Sequence, residues 1–239
     1  AVQRPVMKKV AVVAAAFCLA GRALLDGAAP QLFVNTSAGH ATRGGQKNAA
    51  CLVLAMGRSA RDTRSRVAAR AVGLIYSTQT GNTEEIADYL SEATGLETTA
   101  VDDLYASDLE SYDGLIVGCP TWNTGADEYR SGTAWDDLLD DIKGLSLAGK
   151  PVAVFGCGDS QAYGDNFCDG IEELHDTFAA AGAKLIGYVP ESGYTYAESK
   201  SVRNGKFLGL PLDQDNERDM SEERVASWVS QLKGEGMPL

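Results

Sequence analysis

Ser77-Thr78-Gln79-Thr80-Gly81-Asn82-Thr83 follows an apolar run, Ala71–Tyr76, and precedes an amphipathic segment that extends from Thr83 to about Thr94. The heptapeptide carries four hydroxyl side chains, and its glycine frees the backbone to turn. Where such a turn opens a helix, hydroxyls and backbone N–H groups converge on the positive end of the helix dipole. The order of strand, polar turn and helix therefore predicts an anion site at the carboxyl end of a β-strand.

The heptapeptide differs from two common phosphate-binding loops. It contains no Lys or Arg, whereas the P-loop needs a lysine for the β- and γ-phosphates. It also lacks the G-x-G-x-x-G pattern of dinucleotide-binding folds. Neutral donors alone suit a single phosphate monoester. The competing interpretation, a helix cap formed by Asn82 or Thr83, explains one hydroxyl and not four.

Apolar runs and amphipathic segments alternate along the rest of the chain. The sequence predicts strands at Ala71–Tyr76, Thr98–Val101, Leu115–Cys119, Val152–Cys157 and Lys184–Val189, and helices at Thr83–Thr94, Trp135–Ile142, Asp169–Ala180 and Ser221–Leu232. This alternation predicts an α/β fold with a parallel sheet that helices cover on both faces. Because ligands bind at the carboxyl ends of such strands, the loops after Tyr76, Cys119 and Cys157 are the candidate site.

The second and third of these loops each contain an aromatic residue among small and polar ones. They read Pro120-Thr121-Trp122-Asn123-Thr124-Gly125 and Gly158-Asp159-Ser160-Gln161-Ala162-Tyr163-Gly164-Asp165-Asn166-Phe167. Trp122 and Tyr163 suit stacking on a planar ring, although a place in the hydrophobic core explains each of them equally well on its own. Gly156-Cys157-Gly158, which leads into the third loop, is similar to the start of a dinucleotide fingerprint, but Gln161 stands where the third glycine belongs, which excludes that interpretation.

Together the three loops resemble those of flavodoxins. Thr78–Thr83 is similar to the family's FMN phosphate loop, T-x-T-G-x-T, and Trp122 and Tyr163 stand where the family places aromatic residues on the two faces of the isoalloxazine. The resemblance covers essentially all of residues 71–239. It implies a flavodoxin-like doubly wound fold, a five-stranded parallel sheet in the order 2-1-3-4-5 with helices on both faces.

The resemblance also implies which residues contact non-covalently bound FMN, with no catalytic residue and no metal ligand. The implied contacts are Thr78, Gln79, Thr80, Gly81, Asn82 and Thr83 in the first loop, Thr121, Trp122, Asn123, Thr124 and Gly125 in the second, and Cys157, Gly158, Asp159, Tyr163, Asp165, Asn166 and Phe167 in the third. The peptide after Asn123 would reorient to bond the flavin N5–H in the semiquinone, with freedom supplied by Gly125. Asn82 departs from members that carry Lys there, and Thr124 from members with a larger apolar residue.

A later stretch resembles the long-chain subgroup of the family. Asn204–Leu210 is similar to the strand that completes the sheet in that subgroup, and Glu191–Arg203 would be the insertion that splits strand five.

The chain divides sharply by charge. Residues 1–70 carry eleven Lys/Arg and two Asp/Glu, and residues 71–239 carry ten and thirty-one, so net charges of +9 and −21 make up the total of −12. Lys8 and Lys9 precede an apolar run, Val10–Ala20, which is too short for a bilayer span of ~20 residues. We predict a targeting presequence at 1–70, followed by the FMN-binding domain at 71–239. The presequence resembles bipartite plastid leaders; a one-step plastid or mitochondrial leader is the alternative.

The acidity of residues 71–239 opposes nucleic-acid binding. It serves either solubility or steering towards basic partners, and the clusters concerned are Asp136-Asp137, Asp140-Asp141 and Asp213-Asp215-Glu217-Asp219. Cys119, Cys157 and Cys168 form no C-x-x-C pair, which predicts buried packing residues rather than disulfides or redox thiols.

The resemblance implies a low-potential one-electron carrier, not an enzyme, that cycles between semiquinone and hydroquinone. In that role a monomer in the chloroplast stroma, without stable membrane insertion, would accept electrons from photosystem I. It would pass them to ferredoxin–NADP reductase as a ferredoxin substitute under iron limitation. One alternative is an FMN-dependent NAD(P)H:quinone reductase, which needs an open flavin face. A second is a flavin-free signalling module, which needs an acidic pocket where this chain has hydroxyls.

Overall fold

A computed structural model gives the fold and describes residues 70–239. The predicted presequence, residues 1–70, lies outside the described residues except for its last residue, which begins the first strand. The main sheet contains β1 (Arg70–Tyr76), β2 (Thr98–Ala100), β3 (Tyr112–Pro120), β4 (Pro151–Cys157) and β5 (Lys184–Ile186). These strands are parallel and lie in the order β2-β1-β3-β4-β5. The predicted fold is therefore confirmed.

The edge of β4 is shared by two short strands. β5 pairs with its first half, Pro151–Ala153, and a sixth strand, Leu210–Leu212, pairs in parallel with its second half, Phe155–Cys157. Between them the chain leaves the main sheet and forms three two-residue antiparallel strands in a separate sheet. In chain order these strands are β6 (Val189–Pro190), β7 (Val202–Arg203) and β8 (Lys206–Phe207), so the sixth strand of the main sheet is β9.

The insertion is longer than the sequence predicted. Strand β5 was expected to continue to Val189, but it ends at Ile186 because Gly187 adopts a left-handed conformation with φ of 83°. The indole N–H of Trp228 donates to the Gly187 carbonyl at 2.8 Å and fixes this turn. The strand that completes the sheet is β9, which begins at the last residue of the predicted stretch, Asn204–Leu210.

Four helices cover the two faces of the sheet. They are α1 (Asn82–Thr94), α2 (Trp135–Lys143), α3 (Gly170–Ala180) and α4 (Arg218–Glu235). Because successive strand residues point to opposite faces, neighbouring apolar side chains pack into two hydrophobic cores, one on each face of the sheet. Leu74, Ile116 and Ala153 pack with α1 and α4, whereas Ile75, Val117 and Val154 pack with α2 and α3. The continuous apolar runs of the sequence are thus explained by burial on both faces.

The C-terminal end of α3 agrees with the prediction, whereas the start of α4 differs from it. Gly182, with φ of 84°, follows α3 as the predicted C-terminal glycine. Helix α4 begins at Arg218, before the predicted start at Ser221. The Ser221 hydroxyl is buried and donates to the side-chain oxygen of Gln214, so it does not cap the helix.

Gly118, in β3, should tolerate no side chain. A Cβ at this position would lie 2.0 Å from Cζ of the buried Phe155 ring. We expect Gly118→Ala to lower the free energy of unfolding by about 1–3 kcal/mol through overpacking. In Gly234→Ala, the matched control in α4, the added Cβ meets no atom within 4 Å. That change should be neutral or stabilise by up to ~1 kcal/mol. Urea denaturation measures both, and equal effects would contradict the prediction.

Candidate functional site

Hydrogen bonds fix the first loop near both of its ends. The Ser77 N–H donates to the Gly118 carbonyl at 3.0 Å, and the Gly81 N–H donates to the Thr78 hydroxyl at 2.9 Å. Gly81 has φ of 96°, and its carbonyl accepts the first helical hydrogen bond from Glu85 at 2.9 Å. The left-handed glycine therefore turns the chain directly into α1.

The turn presents several donors without acceptors. The backbone N–H groups of Gln79, Thr80, Asn82 and Thr83 have no acceptor within residues 70–239. The Thr83 hydroxyl is buried without a hydrogen-bond partner of normal geometry, and it lies beside the Cys157 thiol, a weakly bonding group. A buried polar atom left unsatisfied costs about 1–3 kcal/mol. An oxyanion at the start of α1 would satisfy these donors, so the residues present fit a phosphate group.

The three cysteines of the described chain are buried and free, as the sequence predicted. Burial raises the pKa of the Cys157 thiol to about 12 and raises the pKa values of Cys119 and Cys168 well above the ordinary value of 9.0. The thiolate is the reactive form of cysteine. These side chains therefore act as small apolar groups at neutral pH.

Trp122 and Tyr163 are exposed rings at the carboxyl ends of β3 and β4. Their exposed fractions are 54% and 56%, so the alternative that either belongs to the hydrophobic core is wrong. Burying a large aromatic ring is strongly favourable, and leaving two half-exposed at one end of a sheet forgoes that stabilisation. Such rings are available to stack on a planar ligand.

The three loops line a single pocket. The lining residues are Thr80, Asn82, Thr83, Pro120, Thr121, Trp122, Cys157, Gly158, Asp159, Tyr163 and Asp215. Pro120 and Asp215 were not among the predicted site residues. Asp215 follows β9 and accepts a hydrogen bond from the Asn82 amide at 3.2 Å. No sequence signal linked it to Asn82, which is 133 residues away, so only the sheet topology brings a carboxylate beside the phosphate loop.

Several predicted residues of the first two loops make hydrogen bonds to other parts of the chain. The Gln79 amide donates to the Gly132 carbonyl, and the Thr121 hydroxyl accepts from the Gly170 N–H at 3.0 Å. Thr124 and Gly125 form the middle of a turn in which the Ala126 N–H donates to the Asn123 carbonyl at 3.2 Å. Gly125 has φ of 76°, a conformation that favours glycine.

The third loop is organised by the Asp159 carboxylate. It accepts hydrogen bonds from the Ala162 N–H at 2.8 Å, the Gln161 N–H at 3.0 Å and the Asn216 amide at 2.9 Å. The Gly158 N–H donates to the Leu212 carbonyl at 3.0 Å and is therefore not available to a ligand. The Asp159 N–H has no acceptor within the described chain and remains available.

Three predicted contacts of this loop lie outside the pocket. Phe167 is 1% exposed and stacks on Tyr196 with ring centroids 5.5 Å apart, so it belongs to the core. Asp165 and Asn166 line a different cavity, together with Tyr196. Their assignment to a cofactor stays a prediction that the packing does not favour.

Hydrogen bonds from Ala162, Asn216 and Gln161 hold the pKa of Asp159 below its usual value of 3.8. A carboxyl whose pKa is lower in the folded state stabilises the fold above its unfolded pKa, and this stabilisation is lost as the pH falls through the folded pKa. We expect Asp159→Asn to reduce the free energy of unfolding at pH 7, and the deficit to shrink below about pH 4 because asparagine mimics the protonated acid. Urea titrations between pH 7 and 3.5 measure this; a deficit independent of pH would contradict it.

The acidic clusters differ in exposure. Asp137, Asp140 and Asp141 are exposed, but Asp213 is fully buried. The Asp213 carboxylate accepts hydrogen bonds from the backbone of Ser160, Asp215 and Asn216. Its prediction as a member of a surface cluster is therefore wrong, because it holds the third loop against the chain after β9.

The 170 described residues, 70–239, lack two features. They contain no helix that is both long and apolar enough to cross a membrane. They also contain no group of three or more His, Cys, Asp or Glu side chains placed to hold a metal ion.

Comparison with known proteins identifies the family. The flavodoxin family model matches residues 74–228. The flavodoxin of Synechococcus elongatus is 44% identical over 168 residues, which cover 69% of this chain and 96% of that protein. A Nostoc flavodoxin is 42% identical over 169 residues, 70% of this chain and 97% of that one. The chain belongs to the flavodoxin family.

A solved flavodoxin shares the fold. The crystal structure of Fusobacterium nucleatum flavodoxin bound to flavin mononucleotide aligns with a TM-score of 0.63 at 30% identity. The alignment covers 69% of this chain and 97% of that flavodoxin. The residues that the family model matches, 74–228, all lie within the described part of this chain.

Proposed function

We propose that the chain binds FMN non-covalently in this pocket and works as a one-electron carrier. The observation that carries the proposal is the buried, unsatisfied Thr83 hydroxyl at an N–H-rich turn, in one pocket with the half-exposed rings of Trp122 and Tyr163. A phosphate monoester and a planar ring are the two parts of FMN that these groups recognise. The relative from Fusobacterium nucleatum was solved with flavin mononucleotide bound, which supports the assignment.

Each loop has a role in this proposal. Residues 78–83 hold the phosphate through backbone N–H groups and hydroxyls, without a cationic side chain. Trp122 and Tyr163 line the pocket and would cover the ring. The Asp159 N–H, which has no acceptor in the described chain, and the backbone of residues 123–125 would be the groups available to its polar edge. FMN supplies the redox chemistry when it is bound, and the chain's task is to bind the cofactor and set its potentials.

The charge of the domain favours a low potential. A carboxylate ~10 Å from an added negative charge, at an effective dielectric of ~40, opposes that charge by ~0.8 kcal/mol, or roughly 35 mV on a one-electron couple. Two carboxylates, Asp159 and Asp215, line the pocket itself, and the net charge of −21 on residues 71–239 adds repulsion that salt screens beyond about 10 Å. The electron-rich faces of Trp122 and Tyr163 act in the same direction. We therefore propose that the carrier works between the one-electron-reduced and the fully reduced forms of its flavin.

An enzymatic role has less support. Flavodoxins are electron-transfer proteins, and the chain belongs to that family. A quinone reductase that accepts hydride from NAD(P)H needs an open flavin face, whereas two aromatic rings flank this pocket. A flavin-free signalling module would need a cluster of carboxylates on the turn after β1. The turn itself carries hydroxyls and amides, and the nearby Asp215 carboxylate is bonded to the Asn82 amide.

The physiological proposal is a long-chain flavodoxin of photosynthetic electron transfer. Its support is the insertion between β5 and β9, the cyanobacterial origin of the two relatives described above, and the basic segment 1–70. In this proposal the segment is a presequence that directs the domain to the chloroplast stroma. The monomeric carrier there receives electrons from photosystem I and delivers them to ferredoxin–NADP reductase, replacing ferredoxin when iron is scarce.

The test of the cofactor is direct. The full chain, purified, mixed with FMN and then freed of unbound FMN, should be yellow with one FMN per chain. Stepwise reduction should pass through a one-electron form with its own absorbance. A colourless protein that takes up no added FMN would overturn the proposal. Steady-state oxidation of NADPH by the isolated protein would instead support the reductase.

The test of localisation uses the presequence. The full chain fused to a fluorescent protein should accumulate inside plastids of an algal cell, and a fusion that lacks residues 1–70 should remain in the cytosol. Accumulation of the full fusion in mitochondria would favour the one-step mitochondrial leader and contradict the plastid role.

A further inference from the structure

The segment that carries Trp122 is a closed loop. The N–H groups of Trp122 and Asn123 both donate to the Arg130 carbonyl, each at 3.1 Å. The Asn123 side-chain amide donates to the Tyr129 carbonyl at 2.7 Å. The two ends of residues 122–130 are therefore joined, and the loop projects from the end of β3 as a unit.

The centre of this loop is the Arg130 guanidinium, whose side chain is only 11% exposed. It donates to three backbone carbonyls and to one carboxylate on α3. The acceptors are Ala126 at 3.3 Å, Asp127 at 2.9 Å, Asp169 at 3.4 Å and the Glu172 carboxylate. Two of these carbonyls, those of Ala126 and Asp127, belong to the loop itself, so the guanidinium fixes the direction of the two peptides that follow the turn at Asn123–Ala126.

A second carboxylate of α3 holds the loop by its backbone. Glu173 accepts hydrogen bonds from the N–H groups of Tyr129 at 2.6 Å and Arg130 at 2.7 Å. Tyr129 has φ of 59°, a left-handed conformation that residues with bulky side chains avoid. The two bonds to Glu173 maintain a backbone shape that the loop would otherwise leave.

We propose that Arg130 is a positioning residue, which orders the Trp122 loop before any ligand binds and so sets both the affinity for the flavin ring and the redox properties of that flavin. The part that concerns the flavin rests on the proposed function; the ordering of the loop does not. Arg130 lines no part of the pocket, so it acts only through the peptides and the indole that it places.

Lysine cannot replace arginine in this role. The planar guanidinium donates in several fixed directions at once, whereas an ammonium is a compact charge on a flexible stem. Arg130→Lys therefore keeps the charge near Glu172 but loses most of the bonds to loop carbonyls. If the ordered geometry is then populated about one-tenth of the time, the apparent affinity for a ring that requires it falls about tenfold.

The experiment compares Arg130→Lys with Arg224→Lys in the full chain. Arg224 is a matched control because its side chain is also 11% exposed and ion-paired, to Glu217 at 2.6 Å, but it lies on α4 and outside the pocket. Three quantities are measured: amide hydrogen exchange at Trp122 and Asn123 without flavin, the dissociation constants of FMN and riboflavin, and the separation of the two one-electron potentials.

In Arg130→Lys we expect exchange at Trp122 and Asn123 to accelerate at least tenfold, both flavins to bind about tenfold more weakly, and the separation of the potentials to change. Arg224→Lys should alter stability alone.

A loss of stability in Arg130→Lys with unchanged exchange and unchanged potentials would overturn the proposal. If that variant does not fold, Glu173→Gln, which loses one of two acceptors, must shift the same quantities or the proposal fails. If the parent binds no flavin, the proposed function fails, and amide exchange alone decides whether Arg130 orders the loop.

Discussion

Thr83→Val should weaken FMN binding about 10- to 100-fold while leaving the unliganded protein as stable as its parent or more stable. Affinity falls while stability does not, because the Thr83 hydroxyl is buried without a hydrogen-bond partner of normal geometry until a phosphate binds. A hydrogen bond to a charged group contributes about 1.5–3 kcal/mol, which corresponds to this change in the dissociation constant. Valine has a similar shape and removes the unsatisfied group from the empty pocket.

Riboflavin and a second threonine provide the controls for this variant. Riboflavin has no phosphate, so its affinity should be the same for Thr83→Val and the parent, as measured by calorimetry. In Thr121→Val the lost hydroxyl accepts a bond from the Gly170 N–H, so that variant should lose stability but keep the parent's ratio of FMN to riboflavin affinity. Equal weakening of both flavins by Thr83→Val would show that this residue does not bind the phosphate.

Trp122→Ala and Tyr163→Ala should each weaken FMN and riboflavin by the same factor, about 5- to 100-fold. Stacking of a flat heterocycle on an aromatic side chain contributes about 1–3 kcal/mol, and the phosphate takes no part in it. Because both rings are more than half exposed, the free energy of unfolding of the unliganded variants should change by less than about 0.5 kcal/mol.

Tyr105 is the matched control for the two ring variants. It is 80% exposed and lies outside the three loops, so Tyr105→Ala should bind both flavins as the parent does. Retention of full affinity in both Trp122→Ala and Tyr163→Ala would contradict the stacking role. A selective loss of FMN, with riboflavin unchanged, would contradict it equally.

The three central strands of the sheet, β1, β3 and β4, could be predicted because they are seven to nine residues long, enough for a hydrophobic pattern to indicate burial. The apolar run at Leu115–Cys119 lies within β3, and continuous rather than alternating hydrophobicity indicated helices on both faces. The insertion could not be predicted in detail, because strands of two residues, such as Val202–Arg203, have no period to detect. In β9, Pro211 obscured the strand, although proline is tolerated where one edge has no neighbour.

The candidate site likewise contains residues that could be predicted from the sequence and residues that could not. Thr83, Trp122 and Tyr163 each lie within seven residues of the end of a strand. They were predicted from local order, because the ends of parallel strands meet at one edge of the sheet. Arg130 gave no signal of its own, since it stands in a polar run. Its carboxylate partners, Glu172 and Glu173, are more than forty residues away, so only the folded chain reveals the contact.

The burial of two tryptophans gives the molecule an internal optical reporter. All three tryptophans lie in the described part of the chain; the indole N–H groups of Trp135 and Trp228 donate to the carbonyls of Gly118 and Gly187 inside the two cores. Their fluorescence should be short in wavelength and insensitive to added acrylamide. Because Trp122 is 54% exposed, it should be the source of red-shifted emission that acrylamide quenches. The decrease of this emission as flavin is added should therefore measure the fraction of pockets that are occupied, without a dye, a label or a second substitution.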